Sequence, residues 1–203
     1  VEKGVNIIES DPNNRTVGIG GFPDEEGHVT LDACIMDERQ RCGSVAFLQH
    51  IENPVSVARK VMEDTKHVML VGEGALNFAL RNGFEKKVLL TEKTLAAWKK
   101  RKAEAEASEP EINVENHDTI GLVARDAEGN LAGACTTSGV AMKLHGRVGD
   151  SPIIGAGLYV DNDVGTEEYC RSKEFDDSKN VPNIEDLQWH SELKDFPNND
   201  SDD

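Results

Sequence analysis

Residues 116–126, Asn116-His117-Asp118-Thr119-Ile120-Gly121-Leu122-Val123-Ala124-Arg125-Asp126, join a charged, proline-broken segment to a clean apolar run. A strand needs no polar residue at its first position. Thr119 is therefore either an incidental strand former or a hydroxyl presented at a strand edge for chemistry, and the flanking chain has to decide between them. Downstream, the apolar runs TIGLVARD and NLAGACTTSG flank Asp126-Ala127-Glu128-Gly129-Asn130, a pattern that predicts two strands joined by a turn. Upstream, TEKTLAAWKKRKAEAEASEPEINVEN is charged and rich in Lys, Glu and Ala. It reads as a surface helix running into a solvated loop, where a chain tolerates cutting.

Further out, Val1, Val5 and Ile8 recur at helical spacing, and Asp11-Pro12-Asn13-Asn14 ends the helix they predict. VGIGGFPDEEGHVTLDACIMD (17–37) is a Gly-rich turn and then a strand, and GSVAFLQHI (43–51) is its partner. Asn53-Pro54 opens a helix with Val57, Val61 and Met62 on its apolar side. HVMLVG (67–72) is expected as a short buried strand and residues 75–82 as a helix. Residues 139–165 hold several glycines and predict an irregular, site-forming segment before a final strand. In residues 166–203 twelve acidic side chains stand against four basic ones, and large apolar residues are scattered. This acidic tail is expected to be disordered or loosely attached.

With 203 residues, 37% of them hydrophobic, the chain can bury one substantial core. Its 38 acidic side chains outnumber 22 basic ones, a net charge of −16. That balance opposes binding to nucleic acid or to an anionic membrane surface, both of which need a basic face. Cys34, Cys42, Cys135 and Cys170 lie in no CxxC pair or zinc-like spacing and are expected to be unpaired, mostly buried thiols.

A hydroxyl nucleophile near neutral pH needs a base. A cut immediately before Thr119 would supply one, because a free α-amine has a pKa of about 7.7–8.0. Before the cut, the same hydroxyl could attack the carbonyl of Asp118 and convert the peptide to an ester that water opens. Arg147 and Asp150, in His145-Gly146-Arg147-Val148-Gly149-Asp150, suit the α-carboxylate and α-amine of an amino acid, since a guanidinium grips a carboxylate and a carboxylate an ammonium. A salt bridge within a turn is the plainer reading of the pair. Thr136 and Thr137 close a strand, where a hydroxyl could reach Thr119. Residues 161–165 lack the closing glutamate of a calcium loop. Gly72-Glu73-Gly74-Ala75 has Asn77 where a dinucleotide turn has its third glycine, which leaves core packing as the expected role of those glycines.

Taken in order, GGFPDEEGHVTLDACIMD, NPVSVARKVMEDTKHVMLVGEGA, NHDTIG, GACTTSG and HGRVGDSPIIGAG closely resemble the glycosylasparaginases, a branch of the N-terminal-nucleophile hydrolases. His-Asp-Thr-Ile-Gly separates this branch from related asparaginases and isoaspartyl peptidases, whose nucleophile usually follows a glycine. The resemblance covers residues 1–165 and implies an α+β fold, a four-layer αββα sandwich, with 1–118 as α-chain part and 119–165 as β-chain part. It implies self-cleavage between Asp118 and Thr119, with His117 and Asp118 serving that step. Thr119 would be the nucleophile and Thr137 a supporting hydroxyl, with Arg147, Gly149 and Asp150 holding the substrate. No metal or cofactor is implied. The partners implied are a small substrate, glycosylated asparagine or a similar amino acid, and an α/β pair that can double to (αβ)2.

The family begins earlier, with a buried strand and a tryptophan-containing pocket wall, and continues after Gly165 through a Thr-Gly stretch that stabilises the oxyanion. This sequence starts in the following helix and reads TEEYCRSKEFDD at the second place. Two further readings follow: an asparaginase or isoaspartyl peptidase of the same superfamily, and a truncated, non-catalytic product. Lysosomal or exported relatives imply the compartment only by resemblance.

Overall fold

The computed structural model describes residues 1–105 and 119–162, together with the backbone of 165–167. His117, Asp118, Cys170 and the acidic segment 168–203 lie outside the described residues. The element order is α1 (Glu2–Glu9), β1 (Leu31–Met36), β2 (Cys42–Leu48), α2 (Pro54–Asp64), β3 (Met69–Val71), α3 (Gly72–Arg81), α4 (Glu92–Ala105), β4 (Ile120–Arg125), β5 (Leu131–Thr137), β6 (Tyr159–Asp161) and β7 (Gly165–Glu167). Thr166 and Glu167, at the head of the expected tail, thus pair with β6 as part of β7.

Five strands form one mixed sheet in the order β3-β2-β1-β5-β4. β1 is central and pairs antiparallel with β2 on one side and β5 on the other. All six of its residues are buried, because both of its faces are covered. Ala33 and Ile35 point to a helical layer in which Val57, Ala58 and Val61 of α2 are buried. Cys34 and Met36 point the other way, against Leu158 and against Val160 of β6. The described residues therefore supply a helical layer, the five-stranded sheet and a two-stranded second sheet, the α+β class expected.

Pro54 begins α2 as its position predicts, its fixed φ suiting the first helical turn. Gly43 lets α2 lie directly on β2, since a Cβ there would sit 2.1 Å from the Ala58 carbonyl oxygen. β3 departs from expectation. It is an edge strand, Val68 just before it is 63% exposed and Val71 52%, so the apolar run HVMLVG is not buried. A short apolar run does not reveal whether a sheet continues beyond it. α3 begins at Gly72, three residues earlier than expected. Gly72 has φ +56°, which favours glycine, whereas a Cβ on Gly74 would meet open space, so core packing is not the role of that glycine. Cys34 and Cys135 are buried, as expected, and Cys42 is half-buried.

α1 forms where its spacing predicts, with Val5 buried, yet its other fully buried side chain is Glu9 rather than Ile8. The Glu9 carboxylate accepts hydrogen bonds from the Thr136 hydroxyl (2.9 Å) and from the Val55 N–H in the first turn of α2 (3.2 Å). Burial pushes its pKa up to about 7, against the pull of those hydrogen bonds. Unfolded, the carboxyl titrates near 4.5, so the native chain holds the extra proton between the two values. Stability from this group is fully present below pH 4.5 and is lost as pH rises towards 7, by about 3 kcal/mol at about 1.4 kcal/mol per unit. Urea unfolding at pH 4.5, 6 and 8 should show that fall in the wild type and not in Glu9→Gln. Parallel pH dependence in the two would refute the assignment.

Candidate active site

The hairpin β4–β5 delivers Thr119. Ile120 lies opposite Thr136, so Thr119, one residue before β4, enters the sheet beside the end of β5 that carries Thr137. Thr119 is half-buried, and its Oγ1 is 3.4 Å from the Ser151 Oγ, a side chain that is itself buried. Thr137 lies in register with Asp32 of β1 and accepts the Gly139 N–H on its Oγ1 at 2.8 Å. That bond turns the chain out of β5 into the loop that returns to Ser151.

Arg147 and Gly149 meet in this loop. A Cβ on Gly149 would lie 2.8 Å from a guanidinium nitrogen of Arg147, so any side chain there would push the guanidinium from where it folds back over the backbone. Asp150 is half-buried and directly precedes Ser151, and its carbonyl accepts the Ile153 N–H in a turn. The structure thus gathers Thr119, Thr137, Gly149, Asp150 and Ser151 around the turns that leave β5. Arg147 stands on the same loop, with His117 and Asp118 outside the described residues.

Three buried polar residues of this region were not singled out from the sequence: Asp32, Lys143 and Ser151. Between the pairs Leu31↔Leu48 and Ala33↔Val45, β1 has one residue, Asp32, and β2 has two, Ala46 and Phe47. This is a β-bulge, and it turns the Phe47 N–H onto the Asp32 Oδ1 at 2.8 Å. Phe47 holds φ +52°, a left-handed conformation costly for an aromatic residue, of the kind that gathers at functional sites.

Burial pushes the Asp32 carboxyl up, while the Phe47 N–H, the Lys143 charge, the Gly149 N–H and the Arg147 charge favour its ionised form. Its Oδ2 has no partner at normal hydrogen-bond geometry among the described residues, which leaves a buried acceptor beside the loop. Lys143, also buried, donates from Nζ to the carbonyls of Ser138 (2.7 Å) and Thr30 (3.2 Å). Desolvation lowers its pKa, opposed by the charge of Asp32. A signal did exist: Asp32 is the one charged residue inside the strand LDACIM, every position of which is buried.

Comparison with known proteins completes the picture. The asparaginase family model matches residues 1–166. The chain belongs to the type 2 asparaginase family. An N(4)-(beta-N-acetylglucosaminyl)-L-asparaginase of Elizabethkingia miricola is 63% identical over 165 residues, covering 81% of this chain and 48% of that protein. A protein of the same name from Rattus norvegicus is 37% identical over 195 residues, 81% of this chain and 56% of the relative. An isoaspartyl peptidase/L-asparaginase of Bos taurus is 40% identical over 169 residues, 81% of this chain and 54% of the relative. The chain spans about half the length of the curated relatives it matches. The resemblance carried by the motifs and the family match agree on the family.

Proposed function

We propose that this asparaginase-family chain contributes the nucleophile and the amino-acid clamp of an amidohydrolase that cleaves the N4-(β-N-acetylglucosaminyl)-L-asparagine linkage after self-cleavage at Asp118-Thr119. The observation that carries the reading is Thr119 at the entry to β4, with the Ser151 hydroxyl 3.4 Å from its own. In the precursor, Thr119 Oγ attacks the Asp118 carbonyl carbon, the C–N bond breaks, and the amide nitrogen takes up a proton as the ester forms. Water then opens the ester, leaving a carboxylate on Asp118 and a free α-amine on Thr119. In the cut chain that amine accepts the Oγ proton while Oγ attacks the side-chain amide carbon of the substrate. The glycosylamine leaves with a proton, and water hydrolyses the aspartyl ester.

Arg147 would hold the α-carboxylate through two hydrogen bonds and Asp150 the α-ammonium, with Gly149 keeping the loop open for the guanidinium. Thr137, in register with Asp32 and bonded to Gly139, supports the nucleophile from the neighbouring strand. The groups named carry every proton of this scheme, and it calls on no cofactor. The partners would be the small substrate and, after the cut, the two halves of the chain as an α/β pair that can double. Among the described residues no helix is long and apolar enough to cross a membrane.

Mass spectrometry of the purified chain tests the first step: two fragments divided before Thr119 are expected, and a folded chain that stays whole after long incubation overturns it. The bovine relative named isoaspartyl peptidase/L-asparaginase supports a second reading, hydrolysis of asparagine or an isoaspartyl peptide. Release of ammonia from asparagine at a rate exceeding glycosylamine release would favour that reading.

A further inference from the structure

The chain gathers a second polar cluster that the amidase chemistry does not use. Asp24, His28 and His145 each offer a ligand atom, and these atoms lie within 4.8 Å of one another. We propose that Asp24, His28 and His145, with Glu26 as a fourth donor, form a binding site for a divalent transition-metal ion of the zinc class. Two imidazoles and one or two carboxylates are a donor set that zinc takes, at bonds of about 2.0–2.2 Å that put tetrahedral ligand atoms about 3.3 Å apart.

The cluster is held for that purpose in three ways. Asp24 is buried, and its Oδ1 accepts the N–H groups of Glu26 (3.0 Å) and His28 (2.8 Å), which leaves Oδ2 turned towards His145. Such outer hydrogen bonds fix a ligating carboxylate. The Asp24 backbone is pinned by the Trp98 Nε1–H of α4, which donates to its carbonyl at 2.8 Å. The His145 ring stands edge-on to Phe47, with centroids 4.8 Å apart, so the bulged residue of β2 orients it, and edge-on to His28 at 5.3 Å. Glu26 Oε2 sits between the two imidazoles, 3.7 Å from His145 Nδ1 and 4.0 Å from His28 Nδ1.

Two features let an ion enter. Glu26 and His28 are about half exposed, so the open side of the cluster faces water. The Asp24 Oδ2 to His145 Nδ1 contact of 2.6 Å must widen by about 0.7 Å to reach zinc-ligand spacing. His145 is followed by Gly146 at φ +96° with open space around it, which permits that shift. A net charge of −16 adds a long-range attraction for cations. The sequence does not advertise the site, because Asp24-x-Glu26-x-His28 and His145 are far apart along the chain and form no local zinc motif.

The test is equilibrium dialysis of the metal-stripped chain against zinc chloride with elemental analysis, repeated with cobalt chloride to read the visible spectrum. One zinc per chain at micromolar free metal and a tetrahedral cobalt spectrum are expected. His28→Ala, which leaves the Asp24–His145 bond in place, should weaken binding at least tenfold, and His145→Ala likewise. His50→Ala/His67→Ala, exposed histidines elsewhere, should change nothing. Zinc should raise the Tm of the wild type and not that of His28→Ala. Equal uptake by the wild type and His28→Ala, or no uptake below about a hundredfold higher metal, overturns the proposal. The readouts do not depend on Thr119 or on amidase activity.

Discussion

Alanine at position 119 is expected to leave the chain uncut before that residue and to lower amide hydrolysis by on the order of 10⁴-fold or more. In the function proposed above, one hydroxyl opens its own peptide bond and then, as a chain terminus, attacks the substrate with its own amine as base. Its removal therefore deletes nucleophile and base together, and the groups that remain can bind substrate but cannot form the ester. Thr119→Ser keeps hydroxyl and amine and should retain cutting, at a reduced rate because the methyl that restricts the side chain is gone. Ser151→Ala provides the contrast. At 3.4 Å the Ser151 hydroxyl makes a long, weak hydrogen bond to Thr119, so its loss should slow the reaction about tenfold rather than abolish it. Mass spectrometry reads the cut and a glycosylasparagine assay reads the turnover. Continued cleavage of Thr119→Ala at the same bond would assign the cut to an outside protease.

Replacement of Lys143 by methionine should destabilise the fold by about 3–5 kcal/mol, the range for removing one member of a buried charged group. The Nζ satisfies the carbonyls of Ser138 and Thr30 and compensates the Asp32 carboxylate, all of them in a region shielded from water. Methionine matches the volume of the lysine stem, so the loss reports on charge and hydrogen bonds more than on packing. Asp32→Asn alone should also destabilise, by leaving the lysine uncompensated. The double variant should lose less than the sum of the two, with a coupling of at least about 1 kcal/mol. Urea unfolding at pH 7 measures all four proteins. Additivity within about 0.5 kcal/mol would show that Asp32 and Lys143 do not act on each other.

Local signals carried the parts of the fold that depend on neighbours in the chain. Asp126–Asn130 closes the β4–β5 hairpin where its turn residues stand, and Pro54 starts α2 where its missing N–H costs nothing. The surface helix ahead of Thr119 forms as α4, and the glycine-rich segment after β5 is indeed a run of turns. Misses occurred where burial depends on a partner far away. Glu9 reads as a solvent-facing residue of an amphipathic helix, yet α2 and β5 close over it and supply its hydrogen bonds. HVMLVG reads as core, yet it is an exposed edge. The candidate site divides in the same way. Thr119, Thr137, Arg147, Gly149 and Asp150 were picked by residue type and by resemblance. Asp32, Lys143 and Ser151 became visible only as contacts.

By itself, the order of residues determined the family, through five motifs in register, along with most element types and the one hydroxyl standing at a strand entrance. Those features are written in short spacings that survive without the rest of the molecule. Tertiary structure alone decided that β1 is the middle of the sheet and that a bulge in β2 gives its amide to Asp32. It also decided that residues 24–28 meet residue 145. Each of these rests on pairing across many residues, where the register of one strand against another chooses which side chains face one another, and no short stretch of sequence encodes that choice.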